Sequence, residues 1–371
     1  MLGIGIIAPI LPLYAKSLGA SSLAIGLIIS AFSFARAGGM VASGELAERI
    51  DRKKLLMGGL FVYALASVAY AFATSTEILI FIRTWHGIGS AMVVPIAMAI
   101  AADIAPKGEE GSYFGTLQAA LFLGVGFGPL LSGILADGIG LHAPFYAMTT
   151  LTLLSLFLVY RLLPFSDSSA SEREEIGTLD AFKGLLSDHE MLIVFFFQFA
   201  SAMCRGVLVM VIPIFASQLE ISFSHIGIIV SLNSLSTGFL QNFSGKLADN
   251  VHKNTLIIIG GLISAVTLIG LPNLTSPLSL SVASIAFGVG HALASPSLAA
   301  IAATRGKSFG SGRTMGLFNI AFSIGMTVGP IMVGILMDVA GNGIPFYILS
   351  VFLAGSAIPF FSRNKQTACL K

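Results

Sequence analysis

The 371-residue chain matches itself, without a gap, when it is shifted by 201 residues. The positions that recur are mostly glycines and prolines, among them Pro12 and Pro213, Gly26 and Gly227, Gly87 and Gly288, Gly128 and Gly329, and Pro129 and Pro330. Glycine and proline set backbone geometry more strongly than other residues do. The repeat therefore indicates a duplicated half whose backbone shape was kept, and it predicts two structurally equivalent domains.

The composition identifies the surroundings of these two halves. Hydrophobic residues make up 55% of the chain and charged residues 10%, whereas soluble domains have about 25% charged residues. Each half contains about six apolar stretches near the length of about 20 helical residues that crosses a bilayer, and none alternates with the period of a strand. We therefore predict an all-α membrane protein with twelve transmembrane helices in two pseudo-symmetric six-helix bundles.

The predicted domain boundaries follow the apolar stretches. Residues 1–163 form the N-terminal bundle, 164–188 a polar cytoplasmic linker, 189–362 the C-terminal bundle and 363–371 a cytoplasmic tail. The first apolar stretch, residues 1–14, is about 21 Å long as a helix, which is short for a span. We therefore expect the sequence to begin inside a truncated first helix.

Lysine and arginine predict the orientation, because cytoplasmic loops are enriched in them. Of the twenty, sixteen fall on one side of the predicted spans, Lys16 alone falls on the other side, and Arg36, Arg83 and Arg205 lie within spans. Both termini and the linker are therefore expected in the cytoplasm, in a multi-pass protein of the cell membrane. No cluster of metal ligands, catalytic triad or phosphate-binding loop is visible, so the sequence predicts no enzyme, no cofactor and no metal.

The loop after the second predicted helix carries the first family motif. It reads GELAERIDRK from Gly44 to Lys53, and its copy reads GKLADNVHK from Gly245 to Lys253. The loop resembles the signature G-x-L-A-D-R-x-G-R-R/K of the major facilitator superfamily, with Glu48 in place of the Asp and Asp51 in place of the second Gly. A basic loop that only orients the protein is the alternative interpretation. The resemblance implies a latch that holds the two bundles in the outward-facing state, formed by Gly44, Glu48, Arg52, Asp103, Gly245 and Asp249.

A second motif lies in the fourth predicted helix, which reads RTWHGIG from Arg83 to Gly89. It is similar to the family pattern R-x-x-Q-G-x-G, with His86 in the Gln position. Arg83, His86, Gly87 and Ser90 share one helical face, and an arginine in hydrocarbon costs about 2.5 to 3.5 kcal/mol unless a partner or water accompanies it. The resemblance implies that Arg83 and His86 serve proton coupling. Alternatively, Arg83 snorkels to the outer interface.

A third motif, in the fifth helix, resembles the antiporter signature G-x8-G-x3-G-P-x2-G-G of the family, with Ser132 in place of the penultimate Gly. Its members here are Gly115, Gly124, Gly128, Pro129 and Gly133. In the family the motif is taken to seal the substrate path against uncoupled ions, and ordinary small-residue packing is the alternative. The run LGIGIIAPILP from Leu2 to Pro12 looks like a pattern of the twelve-span drug:proton antiporter branch.

The central thirds of the predicted spans contain Arg36 and Arg205 but no acidic residue. A cavity with fixed cations favours anionic or strongly hydrogen-bonding substrates. Alternatively, backbone carbonyl groups neutralise both arginines, which then touch nothing transported. Gln118, Asn233 and Asn319 are the uncharged candidates for the same substrate cavity.

The resemblances together imply a secondary active transporter that uses alternating access. We expect proton-coupled export of small amphipathic compounds, either drugs or metabolites. The alternatives are a symporter or uniporter for organic anions or sugars, and a non-transporting sensor on the same fold. The expected partners are the lipid bilayer, a small-molecule substrate and protons, with no nucleic acid, and the expected state is a monomer.

Overall fold

The structure, a computed structural model, describes residues 1–104, 110–163, 184–305, 311–341 and 343–368. Within these ranges the backbone is helical apart from short turns, and no strand occurs. The helices are α1 (Leu2–Ser17), α2 (Ser22–Arg49), α3 (Arg52–Ala71), α4 (Thr76–Ile104), α5 (Glu110–Gly138), α6 (Ala143–Leu162), α7 (His189–Gln218), α8 (Phe223–Asn250), α9 (Lys253–Gly270), α10 (Pro277–Arg305), α11 (Ser311–Ala340) and α12 (Ile344–Ala368). The all-α prediction is confirmed.

The helix lengths match a polytopic membrane protein. By length and composition, eleven helices of the described chain can cross a bilayer, and α1, with 16 residues, is the shorter twelfth. Large apolar side chains lie exposed along these spans, including Phe34, Phe81, Phe239, Val266 and Leu278. So much exposed apolar surface is typical of contact with lipid rather than with water. The prediction of twelve spans with a short first helix is confirmed.

Contacts divide the chain into two compact units. The first contains α1 to α6 together with Val209–Ser231, which is the end of α7 and the beginning of α8; the second contains the rest of α7 and α8 with α9 to α12. Most of the predicted linker, residues 164–183, and the tail residues 369–371 lie outside the described residues. The domain boundaries therefore stay a prediction.

Helix packing in the second unit repeats part of the packing in the first. In the first unit α3 packs against α4 and α6, and in the second α9 packs against α10 and α12. A Cβ built on Gly89 would lie 3.1 Å from the carbonyl oxygen of Gly59, and one built on Gly290 would lie 2.6 Å from that of Gly260. Each pair is related by the same 201-residue shift. The same close approach of two backbones at a glycine therefore occurs at equivalent positions of both units.

Asp51 is one of the two departures from the loop signature, and the structure gives the reason that it fits. Asp51 has φ −49° and ψ 127°, so the turn does not use the left-handed region that favours glycine. Its carboxylate accepts a hydrogen bond from the backbone N–H of Lys54 at 3.0 Å. Asp51 is therefore the N-cap of α3, where aspartate is among the preferred residues.

Lys53 ties the beginning of α3 to the end of α6. It is only 4% exposed, and its ammonium group donates to the carbonyl oxygens of Tyr160 at 2.9 Å and Leu163 at 2.6 Å. Carbonyl groups in the last turn of a helix have no partner within the helix and carry the negative end of its dipole. A lysine that sequence reasoning assigned only to the loop therefore joins two helices.

Gly87 offers a test of the close contact between α4 and α2. A Cβ on Gly87 would run into the carbonyl oxygen of Phe32, whereas a Cβ on Gly38 of α2 would meet open space. We predict that Gly87→Ala lowers the stability of the purified protein by about 1 to 3 kcal/mol, the usual cost of overpacking. Thermal unfolding in detergent measures the effect. Gly38→Ala is the control and should keep the wild-type midpoint or raise it; equal losses in the two variants would contradict this account.

Candidate functional site

The face of α4 that contains Arg83 and His86 is buried within the first unit. Arg83 is 7% exposed, and His86 and Ser90 are fully buried. The opposite side of the helix carries Phe81 and Trp85, whose side chains are 64% and 48% exposed. The polar residues of the motif therefore lie inside the unit, and the large apolar ones lie outside it.

Arg83 contacts α2. Its Nε donates to the carbonyl oxygen of Ile28 at 3.4 Å, and its Cζ lies 4.6 Å from the ring centroid of Phe32. A guanidinium over an aromatic face gains about 2 kcal/mol or more when it is removed from water. The side chain is thus turned towards α2 and buried inside the unit, which disfavours the snorkelling alternative.

His86 is enclosed by three aromatic rings. The ring centroids of Phe32, Tyr63 and Tyr70 lie 5.1, 4.5 and 5.9 Å from that of His86, all in edge-on arrangements. The Nδ1 atom of His86 lies 3.3 Å from the Tyr70 hydroxyl. Which of the two groups donates depends on the tautomer of His86, and Nε2 has no hydrogen-bond partner within the described residues.

Several polar atoms around His86 have no protein partner. Around His86, no hydrogen-bond partner is found within the described residues for three buried nitrogens, Nε of Arg36, NH1 of Arg83 and Nε2 of His86. The buried hydroxyl groups of Tyr63 and Ser90 lie beside each other and can pair with each other, and the Tyr63 hydroxyl also lies near both guanidinium groups. We call these five residues the α2–α4 cluster. Buried polar atoms are nearly always satisfied, so a group of them without partners indicates a place for water or ligand.

Arg205 belongs to a smaller polar group in the second unit. Arg205 interacts electrostatically with His291 of α10, and the Nδ1 atom of His291 lies 3.5 Å from the hydroxyl of Ser201. Sequence reasoning missed His291. The repeat contained the signal, because position 291 corresponds to Ser90 on the buried face of α4.

The amides proposed for the substrate cavity have different surroundings. The side-chain amide of Asn233 donates to the carbonyl oxygen of Ser284 at 3.0 Å, and Thr237, one turn later, donates to that of Gly288 at 3.3 Å. These bonds join α8 to α10. Asn319 is exposed and donates to the carbonyl oxygen of Met315 in its own helix at 2.9 Å.

The glycines of the α5 motif lie at contacts between backbones. A Cβ on Gly128 would lie 2.6 Å from the carbonyl oxygen of Leu2, and one on Gly124 would lie 2.9 Å from the backbone nitrogen of the same residue. Gly133 lies against the backbone of Phe223, and Pro129 lies against Gly227. The motif therefore packs α5 against α1 and against the beginning of α8, which is the packing role that small residues serve in membranes.

Asp137, at the end of α5, caps α8. Its Oδ1 accepts from the backbone N–H of Phe223 at 2.9 Å, and its Oδ2 accepts from that of Ser224 at 2.8 Å. These N–H groups begin α8 and have no partner within the helix. A carboxylate is also favoured there by the positive end of the helix dipole. Sequence reasoning assigned no role to Asp137, although it recurs as Asp338 in the second half of the chain.

The described structure includes the surroundings of two members of the predicted latch. Arg52 lies at the beginning of α3, and Gly245 lies in α8, where a Cβ would meet open space. For the remaining predicted residues the structure describes only the helical backbone. They are Gly44, Glu48, Asp103 and Asp249 of the latch, and Gly115 and Gln118 of α5. The latch stays a prediction.

Known proteins match nearly the whole length of the chain. The sequence model of the Major Facilitator Superfamily matches residues 1–199 and again residues 194–368. An uncharacterized MFS-type transporter of Methanocaldococcus jannaschii is 31% identical over 95% of this chain and 92% of its own length. The multi-drug resistance efflux pump PmrA of Streptococcus pneumoniae is 25% identical over 96% of this chain and 90% of its own. The crystal structure of the nucleoside transporter NupG superimposes with a TM-score of 0.85 at 14% identity, covering 97% of this chain and 96% of that one, and shows the same fold.

Asp137 offers a test of the contact between α5 and α8. Asp137→Ala removes both hydrogen bonds to α8, and we expect a loss of about 0.5 to 2 kcal/mol, the usual cost of removing an N-cap. Hydrogen exchange of the backbone amides at Phe223 and Ser224 should accelerate, because these amides lose their acceptors. Asp137→Asn keeps one carbonyl acceptor and should show an intermediate effect. Unchanged exchange in the alanine variant would refute the capping role.

Proposed function

The chain belongs to the major facilitator superfamily, and we propose that this transporter exports small amphipathic compounds from the cell in exchange for protons. The observation that carries the proposal is the likeness to a multi-drug resistance efflux pump over 96% of the chain. The likeness includes both units, so it is not confined to a single motif. An all-α membrane fold with two units also suits alternating access, in which two halves move around one substrate site.

The proposed coupling site is the buried face of α4. Arg83 and His86 lie on that face, His86 is enclosed by aromatic rings, and its Nε2 has no hydrogen-bond partner in the described structure. An imidazole titrates closer to neutral pH than any other side chain, so it suits a reversible proton carrier. In this proposal His86 carries the proton, and the fixed charge of Arg83 makes its release depend on the substrate.

The α5 glycines support export with coupling. Gly124 and Gly128 bring α5 into backbone contact with α1, and so tight a seam leaves little room for water between these helices. A leak of protons through the transporter would dissipate the gradient that drives export. We propose that this contact between α5 and α1 keeps the exchange coupled. We also propose that Glu48, Asp103 and their partners form the latch on the cytoplasmic side. In this proposal the transporter is a monomer of the cell membrane, and both of its termini are cytoplasmic.

One observation favours a second candidate. Arg36 and Arg205 lie in the central thirds of their spans, where the predicted spans contain no acidic residue, and this favours an organic anion as the substrate. A symporter or uniporter for organic anions is therefore the alternative. It differs from the first proposal in its response to the proton gradient.

The proton gradient separates the two candidates. Cells that contain the protein should accumulate less of an amphipathic dye than cells that lack it, and a protonophore should abolish the difference. Export by a uniporter would not depend on the gradient. Arg83→Gln or His86→Gln should reduce gradient-driven export by about tenfold or more, equivalent to about 1.4 kcal/mol.

The matched control is Trp85→Phe, because Trp85 lies on the same helix but on its exposed side. This variant should export at the wild-type rate. Export that persists fully in the presence of the protonophore would overturn the proposal of proton coupling and would favour the uniporter.

A further inference from the structure

We infer that the α2–α4 cluster binds the carboxylate group of an amphipathic organic anion. The inference rests on the proposed function, since it names the chemical class of the transported compound. It concerns Arg36 of α2, Tyr63 of α3, and Arg83, His86 and Ser90 of α4, all within the first unit.

The first argument is the type of polar atom that lacks a partner. Within the described chain, these atoms are guanidinium nitrogens of Arg36 and Arg83 and Nε2 of His86, and the hydroxyl groups of Tyr63 and Ser90 beside them can pair only with each other. Guanidinium nitrogens only donate, and a pair of hydroxyl groups keeps one hydrogen free to donate. Three donors therefore remain, and Nε2 of His86 is a fourth in one tautomer. Such a set is completed by an acceptor with several lone pairs, and a carboxylate offers about four such positions.

The second argument is charge. Arg36 and Arg83 bring two positive charges into one region, and residues 22–44, 52–76 and 78–102, which form most of α2, α3 and α4, contain no aspartate or glutamate. Removing one partner of a buried ion pair is strongly destabilising, because the remaining charge is uncompensated. The helices around these arginines supply no counter-charge, so an anion from outside the chain would stabilise the site.

The third argument is the arrangement of the donors. The Ile28 carbonyl group accepts from Nε of Arg83 at 3.4 Å, which leaves NH1 of the same guanidinium for another acceptor. The Tyr63 hydroxyl lies beside Ser90 and near both arginines. Donors from three helices therefore converge, and hydrogen bonds between guanidinium groups and a carboxylate are about twice as strong as neutral ones.

The surroundings favour an amphipathic anion over an inorganic one. Arg36 lies about 14 residues from the beginning of α2, or about 21 Å along the helix, which is deep within a span. The rings of Phe32, Tyr63 and Tyr70 pack edge-on against His86. A small hydrated anion would lose its water without gaining apolar contacts. An organic carboxylate brings an apolar body that can contact aromatic rings of this kind.

The test compares two ligands of similar shape, one anionic and one neutral. Isothermal titration calorimetry of the full-length protein in detergent, without any ion gradient, measures binding of 2-naphthoate and of its neutral analogue 2-naphthamide. We expect 2-naphthoate to bind about tenfold more tightly or better. Equal binding of the two would overturn the inference. Acetate has the carboxylate without the apolar body and should not displace 2-naphthoate at equal concentration; displacement would overturn the assignment to an amphipathic anion.

Substitutions in the α2–α4 cluster then test whether 2-naphthoate binds there. Arg36→Gln and Arg83→Gln should each remove most of the preference for 2-naphthoate. Tyr63→Phe keeps the ring, removes only the hydroxyl, and should weaken 2-naphthoate binding by about threefold to tenfold, as expected for one hydrogen bond to a charged group. It also keeps the test decisive if loss of an arginine prevents folding. The control is Arg161→Gln, since Arg161 is exposed at the end of α6, and it should keep the full preference.

Binding at equilibrium is independent of the proton gradient, so the two proposals can fail separately. If the protein prefers 2-naphthoate but its export does not depend on the gradient, the carboxylate site is supported and proton coupling is refuted. If export depends on the gradient but both ligands bind equally, proton coupling is supported and the carboxylate site is refuted.

Discussion

Backbone contact at glycines is the interaction on which the rest of this structure depends. Lipid is as apolar as the helix surfaces, so burial of apolar area drives helix association only weakly, and close packing must replace it. Gly87 lies beside His86 in sequence, and at that point α4 approaches α2 so closely that a Cβ would run into the carbonyl oxygen of Phe32. That approach also brings Arg83 to the carbonyl oxygen of Ile28 and His86 to the ring of Phe32. Gly87 thus permits the close approach of α4 to α2 that positions the polar site.

The sequence predicted the features that each helix carries alone. The 201-residue repeat identified the glycines, and their shared contacts in both units follow from it. Spacing on α4 placed Arg83 and His86 on one face. Spacing within one helix cannot say which residue of another helix faces that site, so Tyr63 was missed although it contacts His86. Asp137 was missed for the same reason, because its role as a cap depends on where α8 begins.

The buried donors of the α2–α4 cluster connect the two functions that the sequence left open. Export of amphipathic compounds and transport of organic anions differ in the charge of the substrate, and a carboxylate on an amphipathic body belongs to both classes. In the proposed mechanism the substrate supplies the negative charge that α2, α3 and α4 lack. Its departure would leave two arginines beside His86 without a counter-charge.

The central claim is that substrate and proton cross in opposite directions, and a pH-sensitive dye inside proteoliposomes tests it most directly. With no initial pH difference, a transported amphipathic compound is added outside, and the internal pH is followed. Antiport predicts that the interior becomes more alkaline as substrate enters and protons leave. An internal pH identical to that of protein-free liposomes, or an interior that becomes more acidic than theirs, would contradict the account.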